Sequence, residues 1–135
     1  LRGNLTGDTE VVEAAIVGRD GDVKFHCNGD TPGHSKVTDT GEYVAQGLSV
    51  PSLLRDRPAF QSPDLLSVDA EGCDSDIVHQ FMDHDIHPGI IIVEHQNNRE
   101  TIERQRLILE GGYTLLATFG VNSIWRHNGI GRNKR

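Results

Sequence analysis

Residues 65–74 read LLSVDAEGCD, and this stretch decides the fold. Its first four residues, Leu65–Val68, are apolar enough for a short buried strand, and the acidic turn Asp69-Ala70-Glu71-Gly72 follows directly. Asp74 or Ser75 is then placed to cap a helix. A strand that passes through a tight turn into a helix predicts one unit of an α/β sheet.

The residues after this turn repeat the pattern of strand and helix. The first helix is predicted to bury one face, made of Ile77, Val78, Phe81 and Met82. Pro88 and Gly89 break the chain, and the apolar run at residues 90–93 predicts a second buried strand that ends at Glu94 and His95. The order strand, helix, strand favours a parallel sheet with right-handed crossovers.

A second helix and a terminal hairpin complete this half of the chain. Asn97 with Glu100 three residues later resembles a capping box, and the helix should carry Ile102 and Leu109 and stop at Gly111 or Gly112. Residues 113–119 and 123–127 read as two strands joined by a turn at residues 120–122. They predict an antiparallel hairpin at one edge of the sheet.

The first half of the chain is less regular. Residues 11–17 predict a buried strand, Asp20-Gly21 a turn and residues 23–27 a half-buried strand, and together they suggest a hairpin. Residues 28–42 contain many small, polar and glycine residues and are expected to form a loop. A short strand at residues 43–50, a brief helix from Pro51 through Leu54 and a connector at residues 55–63 should follow.

Composition excludes several classes of protein. The chain has 135 residues, enough for one domain, and a formal net charge of −7, which argues against a nucleic-acid-binding surface. Its longest apolar run, at residues 90–93, is far below the roughly 20 residues of a membrane-spanning helix. Cys27 and Cys73 make no disulfide framework or metal knuckle and favour a reducing compartment, so a cytoplasmic location is expected.

Polar side chains follow both predicted parallel strands, at the edge of the sheet where ligands bind in such folds. Asp69 and Glu71 are two residues apart in an extended segment, so they are expected to share a face, and Glu94 and His95 end the next strand. Capping of the following helix is an equally good explanation for the acidic residues. His79 and Asp83, four residues apart on a helix, could meet, but no complete set of metal ligands surrounds them.

Several stretches resemble, in order, the motifs of FkbM-type methyltransferases. Residues 65–74 are similar to the family's signature, in which an apolar strand runs into Asp-x-Glu-Gly, an acidic residue and a helix. Three further stretches match, at residues 14–18 with Asp20-Gly21, at residues 50–54, and at residues 91–95 followed by Gly112-Tyr113. The resemblance covers nearly the whole chain.

The resemblance implies a class I methyltransferase fold, an α/β sheet of Rossmann type, with S-adenosylmethionine as cofactor. It implies O-methylation of a hydroxyl on a sugar or small metabolite. The family's first two strands, which hold most cofactor contacts, have no counterpart here, because residues 1–5 resemble the end of the helix that follows them. Residues 1–135 are therefore expected to be a single partial domain, with no cofactor-binding residue assigned and two bare sheet edges.

Within this interpretation Asp69 is expected to orient or deprotonate the acceptor hydroxyl, with Glu71 assisting it. His95 is the alternative base, because an imidazole has a pKa of about 6.5. Two alternatives remain open. Asp69 and Glu71 could ligate Mg²⁺, or the chain could be a non-catalytic interaction module that retains half of a methyltransferase fold. The sequence does not indicate an oligomeric state.

Overall fold

The computed structural model describes residues 9–27 and 35–129. These residues form two four-stranded sheets, three α-helices and one 3-10 turn. In chain order they are β1 (Ala15–Ile16), β2 (Gly21–Cys27), β3 (Ser35–Val37), β4 (Tyr43–Leu48), α1 (Val50–Leu54), the 3-10 turn (Pro58–Phe60), β5 (Leu65–Val68), α2 (Asp74–Asp83), β6 (Ile90–Glu94), α3 (Arg99–Leu109), β7 (Tyr113–Phe119) and β8 (Asn122–His127).

The second sheet has the strand order β5-β6-β8-β7 and confirms the predicted α/β class. β5 and β6 are parallel, with Val68 opposite Val93, and α2 connects them. β8 lies antiparallel between β6 and β7. The predicted terminal hairpin is therefore confirmed, with an irregular register between Leu115 and Ala117.

The first sheet corrects the predicted hairpin at its start. β1 has only two residues and pairs in parallel with β4, which separates it from β2 in the order β1-β4-β2-β3. The Asp20 carboxylate explains this arrangement, because it accepts hydrogen bonds from the backbone N–H and hydroxyl of Ser49, at 2.8 and 2.9 Å, and so ties the turn before β2 to the end of β4. Gly47 allows the close approach, since a Cβ there would lie 2.6 Å from the carbonyl oxygen of Gly21.

The stretch predicted as one long loop contains a strand. Residues 35–37 form β3 and pair antiparallel with β2, with Val37 opposite Phe25. The remainder of that prediction is only partly testable, because residues 28–34 lie outside the described part of the chain. The expected strand at residues 43–50 and the brief helix after it are present as β4 and α1.

The main hydrophobic core lies on one face of the second sheet. The sheet contributes Val68, Ile91, Val93, Tyr113 and Trp125, and the three helices contribute Val50, Leu54, Ile77, Val78, Phe81 and Leu109. Alternation along β6 confirms a strand buried on this face, since Ile91 and Val93 have no exposed surface. Leu65, predicted to be buried, is 55% exposed, so β5 is anchored mainly by Val68.

The N-cap of helix α3 lies one residue later than predicted. The Asn98 side chain, not that of Asn97, accepts hydrogen bonds from the backbone N–H groups of Glu100 and Thr101. Asn97 has a φ of 52°, in the left-handed region, so it belongs to the turn rather than to the helix. Ile102 is exposed, and the buried face of α3 consists of Gln105 and Leu109.

None of the helices in the described segments is both long and apolar enough to cross a membrane.

Candidate functional site

A tight turn after β5 shapes the edge of the second sheet. Glu71 and Gly72 both have positive φ, 48° and 104°, and the glycine suits the second of these positions because it has no Cβ. Asp74, only 2% exposed, accepts hydrogen bonds from the backbone N–H groups of Ala70 and Gly72 at 2.9 and 3.0 Å. Asp74 therefore holds the turn, while Cys73 occupies the N-cap of α2 without a side-chain cap.

Three carboxylates converge at this edge. Asp69 follows β5, Glu94 ends β6 and Asp74 begins α2, and one oxygen from each lies within 4.8 Å of the others. Asp69 and Glu94 lie close together because they directly follow Val68 and Val93, which are paired in neighbouring parallel strands. We call Asp69, Asp74 and Glu94 the acidic cluster.

Glu94 is the member of the acidic cluster with a perturbed pKa. Burial raises the pKa of its carboxyl, and so do a hydrogen bond from the protonated form to Asp69 and the negative charges of Asp69, Asp74 and Glu71. A carboxylate with a raised pKa is a better proton acceptor near neutrality than an ordinary one. The charges around it also make this edge of the sheet attractive to a cation.

Asp69 and Glu71 both border a cleft of about 520 Å³. Ala70 and Cys73 of the turn also line this cleft. The opposite wall is formed by the first sheet and the residues just before β1, namely Glu13, Ala14, Ala15, Ile16, Phe25, Val37 and Ala45. Both carboxylates of the acidic turn therefore lie at the wall of a cleft. Burial, with Asp76 and Asp74 nearby, raises the pKa of the Cys73 thiol, so this group stays protonated and is a poor nucleophile.

His95 lies next to the acidic cluster in sequence but is not part of it. The residue is 3% exposed, and its Nδ1 accepts a hydrogen bond from the backbone N–H of Asn97 at 3.1 Å. Its backbone N–H donates to the carbonyl of Val121. Its Nε2 is buried and has no hydrogen-bond partner among the residues that the structure describes. The structure gives His95 a place in the turn before α3, and its role as a base stays a prediction.

A buried polar chain fixes the backbone at Glu94. The Gln105 side chain, 1% exposed, donates from Nε2 to the Glu94 carbonyl and accepts from the Ser123 hydroxyl at 3.1 Å. Ser123 in turn accepts from the Trp125 indole at 2.9 Å. Neither Gln105 nor Glu94 was selected as a site residue from the sequence, although the parallel pairing of the two predicted strands was the signal that could have placed Glu94 beside Asp69.

The pair of His79 and Asp83 on α2 forms an ordinary surface contact. His79 and Asp83 lie 3.3 Å apart on the exposed face of α2, as expected for an ordinary pair four residues apart. Within residues 9–27 and 35–129, the acidic cluster is the one group of three that could hold a metal ion. The pair expected from the sequence as Mg²⁺ ligands, Asp69 and Glu71, contributes only Asp69 to it.

Comparisons with known proteins leave the family of this chain unassigned. No protein-family model matches it. Searches of curated proteins and of solved structures likewise gave no match.

Proposed function

We propose that these residues belong to an S-adenosylmethionine-dependent methyltransferase that methylates a hydroxyl of a sugar or small metabolite. The observation that carries the proposal is the acidic cluster at the carboxyl edge of β5 and β6, with Asp69 and Glu71 on a cleft. The resemblance of residues 65–74 and the three other stretches to FkbM-type methyltransferases supports it. A class I sheet that is partial at its start is part of the same proposal.

The charge of the site favours this cofactor over others. S-adenosylmethionine supplies a methyl group on a positively charged sulfur. Asp69, Asp74, Glu94 and the nearby Glu71 would stabilise a cation, whereas nucleotide cofactors with phosphates would be repelled. No Gly-rich phosphate loop follows any strand of the sequence. No described residue is assigned to the adenosine.

For methyl transfer the protein must align the acceptor hydroxyl with the methyl group and remove the proton of that hydroxyl. With S-adenosylmethionine bound, the acceptor oxygen would bond to the methyl carbon as the carbon–sulfur bond breaks, and the sulfur would leave as a neutral thioether. The hydroxyl proton goes to a carboxylate. Glu94 is the best acceptor in the cluster because its pKa is raised, and Asp69 is placed to orient the hydroxyl and to share the proton afterwards. Asp74 holds the turn.

A metal-assisted version of this reaction has its own support. Carboxylate oxygens are the ligands that Mg²⁺ prefers, and Asp69, Asp74 and Glu94 can offer one oxygen each. In that case the cation would lower the pKa of the acceptor hydroxyl and no carboxylate base would be needed. Transfer that is lost with a chelator and restored by Mg²⁺ would select this version, and chelator-resistant transfer would select the carboxylate base.

The test is methyl transfer from radiolabelled S-adenosylmethionine to panels of glycans and small hydroxyl compounds. The 135-residue chain and the product of the complete reading frame should be assayed side by side. We expect transfer by the complete product. An absence of transfer and of S-adenosylmethionine binding in both proteins would reject the proposal and favour the non-catalytic interaction module.

A further inference from the structure

The second sheet has two faces of different character. Strand registers place Leu65, Ser67, Ile90, Ile92, Ile124 and Arg126 on the face opposite the core, because paired residues point to the same side. We call these six residues the open face. None of them belongs to the core, and the buried apolar residues of α1, α2 and α3 pack into the core on the other side.

The open face is apolar in its centre. Ile90, Ile92 and Ile124 form an aliphatic patch, and Leu65 beside it is 55% exposed. Parallel strands with apolar residues on both sides are characteristic of sheets that are covered on both faces. β6 has this composition, so its second face is suited to a partner.

Charge is distributed unevenly along the open face. Its carboxyl end carries Asp69 and Glu94 of the acidic cluster, while its opposite end carries Arg126, which is paired in register with Ile90. A second copy whose strands run in the opposite direction would lay its Arg126 over the acidic end of the first copy. The same contact would form twice about a two-fold axis, as closed dimers require.

We propose that the open face is a self-association surface, on which two copies of this chain pack face to face with antiparallel strands. The aliphatic patch supplies the buried apolar area, and the Arg126 contacts with Asp69 and Glu94 set the orientation. Pairing covers Asp69 and Glu94, so the paired form has a closed acidic cluster. The proposal does not rest on the proposed function.

Sedimentation velocity of the 135-residue chain tests the pairing, and we expect a dimer at protein concentrations of about 100 µM. Ser67→Lys puts a charged side chain beside Ile92 of the aliphatic patch, at an exposed position on β5, and it should weaken the dimer at least about tenfold. Leu107→Lys is the matched control, because Leu107 is 67% exposed on α3, the helix on the core side of the sheet. It should leave the dimer intact.

A charge exchange tests the orientation. Arg126→Glu alone and the double variant Asp69→Lys/Glu94→Lys alone should each be monomeric, with circular dichroism confirming that both are folded. An equal mixture should form a heterodimer, because every contact then joins opposite charges. A monomeric wild type, a Ser67→Lys variant that dimerises like the wild type, or a mixture that stays monomeric would overturn the proposal.

Discussion

Asp69 and Glu94 stand side by side at the ends of two paired parallel strands, with carboxylate oxygens no more than 4.8 Å apart. Protonated Glu94 donates a hydrogen bond to Asp69, and the charge of Asp69 further raises the pKa of Glu94. The environment of Glu94 therefore favours its protonated form. This relationship gives the first three predictions.

Asp69→Asn should lower the pKa of Glu94. The variant removes a negative charge and a hydrogen-bond acceptor, and the new amide can donate to ionised Glu94. Carbon-13 NMR titration of the side-chain carboxyl groups measures the change. Asp76→Asn is the control, because Asp76 is exposed and paired with Arg104 rather than with the acidic cluster. An unchanged Glu94 titration in Asp69→Asn would contradict the assigned hydrogen bond.

Glu94→Gln should stabilise the protein at neutral pH. The folded state raises the pKa of Glu94 above its ordinary 4.5, so folded molecules bind the proton more tightly than unfolded ones and stability falls as pH rises through that range. Glutamine removes the ionised group, and the gain at pH 7 should be about 0.5 kcal/mol. Urea unfolding at pH 7 and pH 4 measures it. A gain of equal size at both pH values would exclude the linkage explanation.

Asp69→Asn should also slow methyl transfer, if the proposed function holds. Loss of the group that orients the hydroxyl should reduce kcat about 100-fold. Affinity for S-adenosylmethionine, measured by calorimetry, should fall much less than kcat, because Asp74, Glu94 and Glu71 still lie near the proposed site of the cation. In the wild type, the rate of methyl transfer should rise with pH as the Glu94 carboxyl loses its proton, and Glu94→Gln should abolish this rise. Wild-type turnover in Asp69→Asn would remove this residue from the chemistry.

Asp74→Ala should be strongly destabilising. The side chain is 2% exposed and accepts from the N–H groups of Ala70 and Gly72, so its loss removes two part-buried hydrogen bonds and should cost about 2 kcal/mol. Asp74→Asn keeps one acceptor oxygen and should cost about half as much. Denaturant midpoints compare the two. Equal costs would show that the two hydrogen bonds do not account for the role of Asp74.

Gln105→Leu should destabilise the protein by about 1–3 kcal/mol in spite of its apolar replacement. It leaves the Glu94 carbonyl and the Ser123 hydroxyl without their buried partner. Arg106→Ala, which alters an exposed ion pair with Glu110 on the same helix, should change stability by less than about 0.5 kcal/mol. Chemical unfolding of both variants measures the difference, and a neutral Gln105→Leu would mean that the polar chain adds nothing to packing.

Local pattern was enough to predict most of the second half of the chain. The apolar runs before Asp69 and Glu94 became paired parallel strands, the helix between them buried Ile77, Val78 and Phe81, and the terminal hairpin formed as expected. Each of these elements is specified by neighbours within a few residues, through apolar periodicity or a turn. The first half was predicted less well, because long-range hydrogen bonds that Ser49 donates to Asp20 tie the end of β4 to the turn before β2.

By itself, then, the sequence determined the type and order of the elements from β5 to β8 and the presence of acidic groups at two strand ends. Only the tertiary structure decided their roles. In the folded chain Glu94 lies beside Asp69, and Asp74 accepts hydrogen bonds that hold the turn after β5. His95 is buried in a neighbouring turn. The reason is that proximity between groups 25 residues apart, such as Asp69 and Glu94, depends on strand register and on what lies between them, and no local pattern encodes either.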